Sequence, residues 1–266
     1  MIAVVLKGLL GRKVRAFLTG FAVVLGVAMV SGTFVLTDTI SKAFDQIFNG
    51  TYENTSAVIS GKEIVKGSSS GNATIPASLL EQVRGIDGVA AATGAIYDLG
   101  SSSNYTKLVG PDGVIGGGGA PTLGFGIDTS EPRFNPLNLV EGQWATGQQV
   151  VIDKGTAGVN DLNVGDSIGV STRARVEQFR ISGIAKFGTV DSLGGATLAV
   201  FDIPTAQRLL GKESQFDSIS VAAENGVSPA ALAANIRDIL PASAQVRTGA
   251  EQAQASAKDT KTFMKF

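Results

Sequence analysis

The chain has 266 residues, 22 basic and 23 acidic side chains, and a net charge of −1. That balance excludes a broad nucleic-acid-binding surface, which needs a clustered basic excess. Cys and His are both absent, which excludes disulfides, cysteine nucleophiles, Ser-His-Asp chemistry and the usual His/Cys zinc sites, while 44% apolar residues exclude a disordered chain.

The charge is unevenly spread. Residues 1–15 carry Lys7, Arg12, Lys13 and Arg15 and no acid, so the remainder holds 18 basic and 23 acidic side chains, a net of −5. Ile2, Val5, Leu6, Leu9 and Leu10 lie among these bases, a pattern that fits either a short helix on an anionic membrane face or a plain topogenic flank. Residues 16–37 form a 22-residue run without a charge. As a helix at ~1.5 Å per residue it reaches about 33 Å, enough to cross a ~30 Å hydrocarbon layer. The bases before it and Asp38 after it predict a cytoplasmic N-terminus, with everything from about residue 38 onward extracytoplasmic.

The competing reading is a cleaved leader, whose apolar core normally runs to only 7–15 residues. Here the longer run passes directly into 38–50, where Ile40, Ala43, Phe44, Ile47 and Phe48 share a helical face, so a stalk helix is expected. The length of the uncharged run argues against a buried soluble helix. Ala22 with Gly26 and Ala28 with Gly32 are small-xxx-small pairs that suit a helix–helix contact in lipid, although small residues are common in such helices anyway.

Beyond the stalk an internal repeat appears. Residues 76–86 and 229–239 share Pro-Ala-x-Leu-x-x-x-(Val/Ile)-Arg-x-Ile at an offset of 153. Leu79, Val83 and Ile86, like Leu232, Ile236 and Ile239, are spaced i, i+4, i+7, and Pro76 and Pro229 are expected at the first helical position. Strand-like runs flank each copy, at 56–65 and 88–97 and at 217–223 and 242–247. The fold class is therefore α+β: two β-α-β units forming one porter-like subdomain over 51–98 and 212–248. Residues 99–211 form an insertion. Its first part, 99–136, is rich in Gly, Ser, Pro and Asn and is expected to be a flexible surface loop. The stretch 137–203 reads as all-β, with strands at 150–153, 167–171, 176–185 and 196–201, and 203–210 as a return helix. Residues 249–266 are helix-prone and are expected to be a second stalk leading toward a further membrane helix.

No catalytic, cofactor or metal site is expected. The carboxylates form no Asp-x-Asp-x-Asp series, and Asp161 and Asp166 beside Gly165 suit a turn better than a ligand set. Ser68–Ser70 and Ser101–Ser103 lack a base. The four glycines 116–119 lack the Lys-Ser/Thr of a phosphate loop, and no Walker motif occurs anywhere. Asn54, Asn72 and Asn104 begin Asn-x-Ser/Thr triplets, which arise readily in polar loops.

Residues 7–28, with the basic cluster, Arg15, Leu18, Thr19 and the step Gly26, Val27, Ala28, resemble the opening of MacB/FtsX-type ABC transporter permeases. Glu141, Gly142 and Gln143, the run 150–153, and Val164, Gly165 and Asp166 resemble segments of that family's inserted lobe. The resemblance implies an N-terminal transmembrane helix followed by a MacB-like periplasmic core domain. It further implies a non-enzymatic permease subunit, of which this chain supplies the N-terminal part, in the cell membrane. Such a subunit would relay the motion of a cytoplasmic ABC ATPase to the outer domain for export or for lipoprotein or peptide handling. The partners implied are that ATPase, a second permease copy or related permease, the lipid bilayer and an extracytoplasmic cargo or protein. The family's later three membrane helices are not in the sequence. The alternative reading is a single-pass anchored binding or scaffold protein without a transport role. A membrane-tethered hydrolase would need a carboxylate dyad, and none is found.

Overall fold

The computed structural model describes residues 13–52, 54–62, 73–98, 106–111, 113–116, 121–172, 175–188, 190–192 and 195–263. The chain divides into two units, residues 1–45 and 46–266.

The first unit holds most of helix α1 (Lys13–Thr51). Its segment Phe17–Val35 is 19 residues long and wholly unburied, and it is long and apolar enough to cross a membrane. Phe17 and Phe34 are each 71% exposed. A core helix of a soluble domain would bury such side chains, so this helix needs an apolar surrounding from outside the chain. Two of its hydroxyls are already satisfied: Thr19 and Thr33 donate to the carbonyls of Arg15 and Met29, each at 2.9 Å. This one-turn back-bonding leaves neither threonine hydroxyl as a free donor to desolvate.

The second unit is built on four antiparallel strands. They are β1 (Ala57–Gly61), β3 (Val89–Asp98), β13 (Ser218–Ala223) and β14 (Ala244–Thr248), ordered β14-β1-β13-β3. Helix α2 (Ser78–Arg84) joins β1 to β3, and helix α5 (Pro229–Arg237) joins β13 to β14. This is a split β-α-β layer, in which each unit's two strands are parallel and separated by a strand of the other. The apolar stripes of the two helices meet in the core, where Leu79, Val83, Leu232 and Ile236 pack with Ala57, Ile59, Ile219 and Val221. Ile86 and Ile239, the third members of each stripe, lie past the helix ends and are less buried, Ile239 being 39% exposed.

The two copies differ at their starts. Ser228 caps α5 by accepting from the Ala231 N–H at 3.2 Å, and Pro229 is then the first helical residue. The first copy has Ile75 in place of the capping serine. There Pro76 lies outside the helix, in the two-residue strand β2 (Ile75–Pro76), which pairs with β12 (Gln215–Phe216). The expected helical position of Pro76 is thus corrected, because no side chain is present to close the turn at that point.

Between β3 and β13 the sheet continues instead of breaking. β3 extends past its partner β13 and pairs through Ile96–Asp98 with β6 (Thr122–Ile127). The order then runs through β11 (Thr197–Asp202), β8 (Gln149–Asp153), β10 (Val176–Phe187), β9 (Ser167–Ser171), β4 (Lys107–Gly110) and β5 (Gly113–Ile115), with β7 (Leu137–Gly142) also on β10. Three of these strands, β4, β5 and β6, fall in the glycine-rich stretch read as a loop, and that reading is corrected. The glycines serve close approach there: a β-carbon at Gly126 would meet the Ala206 side chain at 2.5 Å. The all-β reading of 137–203 is corrected too, since Lys154–Val159 form helix α3. The Asp153 carboxylate caps it, accepting from Thr156 N–H at 2.9 Å and Thr156 Oγ1 at 2.6 Å. Helix α4 (Ile203–Leu210) follows β11, capped by Asp202 and ended by Gly211 in the left-handed region, φ 63°.

The inserted strands bury both faces. In β8, Val150 and Ile152 face the main core while Val151 joins a second cluster with Leu137, Ala185, Leu198 and Val200. The period-two alternation of side chains serves two cores at once.

Candidate functional site

Two junctions stand out, and both lie where the chain passes between structural layers. The first is where the chain comes into the split layer and leaves it. β1 and β14 are antiparallel neighbours with Ala57 opposite Thr248, so the residues before β1 and those after β14 meet at one point. The exit begins with a reciprocal cap. Thr248 N–H donates to the Glu251 carboxylate at 2.8 Å, and Glu251 N–H donates to Thr248 Oγ1 at 3.2 Å. This capping box starts helix α6 (Gly249–Phe263) at the last residue of β14. The Thr248 backbone bond, helped by its hydroxyl and by the Arg237 and Arg247 charges, holds the Glu251 carboxyl below its ordinary value against a smaller desolvation effect.

Gly249 is the point of closest approach in this exit. Its N–H donates to Ser56 O at 3.1 Å, and a β-carbon there would collide with the Thr55 carbonyl. On the incoming side Tyr52 is half-buried and hydrogen-bonds to Gln252 and Ser256 of α6. Burial raises its phenol above the ordinary value, and those two hydrogen bonds act in the opposite direction. Gln252 also accepts from Arg247 Nη1 at 3.3 Å. α6 packs along β14 and β1, with Ala253 5% exposed.

The second junction is where the insertion departs and returns. Lys212 Nζ donates to both oxygens of Asp217 and to the backbone oxygen of Tyr97, each at 2.8 Å. Asp217 in turn accepts from the Tyr97 N–H at 2.8 Å. The ion pair is largely shielded, its side chains being 20% and 10% exposed. Burial, then the Asp217 charge and the nearby Tyr52, push the Tyr97 phenol well above its ordinary value, against a hydrogen bond with Ser218. The outgoing strand and the returning segment are thus clasped together by one ammonium group.

Sequence gave partial warning of these residues. Thr248-x-x-Glu251 before an Ala-rich run is a capping signature, whereas nothing around Tyr52, Tyr97, Lys212 or Asp217 marks them. Asp161 and Asp166 lie in a turn: Asp161 has φ 52°, and Asp166 accepts from the Asn163 N–H at 2.8 Å. Among the described residues no group of three carboxylates is placed to hold a metal ion. Asn54 is exposed and donates to Arg133 O at 3.4 Å. Ser68–Ser70, Ser101–Ser103, Asn72, Asn104 and Gly117–Gly119 lie outside the described residues.

Several known proteins share this architecture. Residues 16–239 match the MacB-like periplasmic core domain family. No curated protein matches the sequence. Among solved structures, the periplasmic region of MacB from Actinobacillus actinomycetemcomitans is similar with a TM-score of 0.56 at 17% identity, covering 78% of this chain and 94% of that one. The extracellular domain of the noncanonic ABC-type transporter YknZ from Gram-positive bacteria is similar with a TM-score of 0.50 at 12% identity, covering 71% and 98%. At these identities the structural likeness speaks to the fold alone. The sequence match takes in the apolar helix, the first β-α-β unit, the inserted strands, and β13 and α5 of the second unit, and this chain belongs to the MacB-like periplasmic core domain family.

Proposed function

We propose that this chain is a permease subunit of an ABC-type transporter. It relays ATP-driven motion of a cytoplasmic partner ATPase to an extracytoplasmic domain that serves export or the handling of a lipoprotein or peptide. The segment Phe17–Val35 is the anchor, and the four bases at Lys7, Arg12, Lys13 and Arg15 keep the N-terminus in the cytoplasm. Residues from about 38 onward then lie outside. The chain acts with the ATPase, the bilayer and a second permease, and it needs no catalytic group of its own.

One observation carries this reading. The incoming chain at Tyr52 and the outgoing helix α6 are hydrogen-bonded to each other beside paired strands β1 and β14. A displacement arriving along either helix is delivered to the same two strands, and a helix transmits it because its hydrogen bonds are internal and its rise is fixed. The family match and the naming of YknZ as an ABC-type transporter support the transport setting.

The test is purification of the tagged chain from its native membranes in mild detergent, with its companions identified by mass spectrometry. A stoichiometric ABC ATPase is expected. Recovery of the chain with no ATPase sinks the relay and leaves an anchored binding or scaffold protein.

A further inference from the structure

We infer that the cleft around Arg180 is a binding site for a carboxylate group. The cleft arises from the topology. Strand β10 is paired along one edge by β9 through Val176–Arg180 and then by β7 through Gly183–Phe187. Where the partner changes, between Arg180 and Gly183, the edge forks. The backbone groups at the fork are taken up locally: Gly165 N–H donates to Ile181 O, Ile181 N–H to Asp166 O, and Gln143 N–H to Ser182 O, each at 2.8 Å. The opening that remains has a volume of about 480 Å³. Arg180, Gln143, Gln149 and Ser182 give it polar walls, Val164 an apolar side, and Gly142, Gly165 and the otherwise buried Ile181 their backbone.

The chemistry of this lining is one-sided. Arg180 is the only charged residue in it, and among the described residues no carboxylate or carbonyl pairs with its guanidinium. The group lies against Gly165, where a β-carbon would sit 3.6 Å from Nη2. Gln149, opposite Arg180 across the parallel pair, uses its oxygen to accept from Thr146 N–H at 3.2 Å and Thr146 Oγ1 at 3.1 Å. Its amide nitrogen is left for a ligand. The cleft therefore offers donors and asks for an oxyanion. A planar guanidinium matches a carboxylate bidentately, and a single positive charge balances a carboxylate but not a phosphate dianion. The apolar side chain of Val164, only partly buried, suits a small aliphatic group beside that carboxylate. This site lies apart from the two junctions above and does not depend on the transport reading.

The test is saturation-transfer NMR of N-acetylvaline with the full chain in uncharged detergent micelles at pH 7, with N-acetylvalinamide as the neutral control. The carboxylate should bind the wild type, Arg180→Gln should weaken it about tenfold, and Arg180→Lys should weaken it less, as expected on losing the fork but keeping the charge. Gln149→Leu should weaken it severalfold. The amide should show no difference between wild type and Arg180→Gln. Far-UV circular dichroism checks that each variant is folded. Equal saturation transfer in wild type and Arg180→Gln, an equal loss with the amide, or no transfer above the empty micelle overturns the assignment.

Discussion

Lys212 Nζ donates a 2.8 Å hydrogen bond to the backbone oxygen of Tyr97 across 115 residues of chain. The same ammonium neutralises Asp217, which accepts from the Tyr97 N–H. One side chain therefore closes the base of the inserted lobe, fixing the outgoing strand to the segment that returns to β13.

Replacing Lys212 by Met should be costly, because it leaves the Asp217 carboxylate shielded from water without a counter-charge. Removal of one partner from such a pair costs about 3 kcal/mol. Urea unfolding of the full chain in micelles should show that loss. Lys212→Met combined with Asp217→Asn should be less destabilising than the sum of the two single changes. Strict additivity would mean that the two side chains do not act as a unit.

Asp153 is a second pin inside the lobe. Its carboxylate is 1% exposed and takes donors from Thr156 and from the Leu198 N–H at 2.7 Å, tying α3 to strand β11. Asp153→Ala strands those buried donors and should lower stability by about 3 kcal/mol. A loss within measurement error would show that water replaces the carboxylate.

Alkaline pH should loosen the unit through its tyrosines. Burial raises the Tyr97 phenol above its ordinary value of 10.0, so its contribution to stability is fully present below about pH 10 and is lost as pH rises through the folded value. Tyr52 shifts in the same direction. The stability of Tyr97→Phe should therefore fall less steeply above pH 10 than that of the wild type, with part of the slope retained from Tyr52. Parallel pH profiles would contradict this.

Acid should release the start of α6. The Glu251 carboxyl is held below its ordinary value of 4.5 by the Thr248 bonds, so the cap is intact above that pH and is lost as pH falls through the lower folded value. Amide hydrogen exchange at residues 249–253 should accelerate on acidification beyond the intrinsic pH effect, and Glu251→Ala should show that acceleration already at pH 7. Unchanged protection in Glu251→Ala would mean that the cap does not hold this turn.

Gly249→Val should disturb the first junction more than its neighbour Ala250→Val, because only the former drives a β-carbon into the Thr55 carbonyl. Ala250 is exposed. The expected readout is a lower melting temperature and a change in Tyr52 environment by near-UV circular dichroism. Equal effects of the two variants would contradict the crowding.

The sequence by itself determined what depends on near neighbours. The uncharged run 16–37 is legible because a membrane-spanning helix is a matter of length and composition, and Phe17–Val35 lies inside it. The two repeat helices and their flanking strands are legible because an apolar stripe writes its period into adjacent residues. Only the tertiary structure decided that β1 lies between β13 and β14, that Gly126 marks a strand closely packed on Ala206, and that Lys212 reaches Asp217 and Tyr97 together. The reason is physical. The β13-β1-β14 order and the Lys212–Tyr97 bond are settled by contacts between residues more than a hundred positions apart, and no local periodicity carries them.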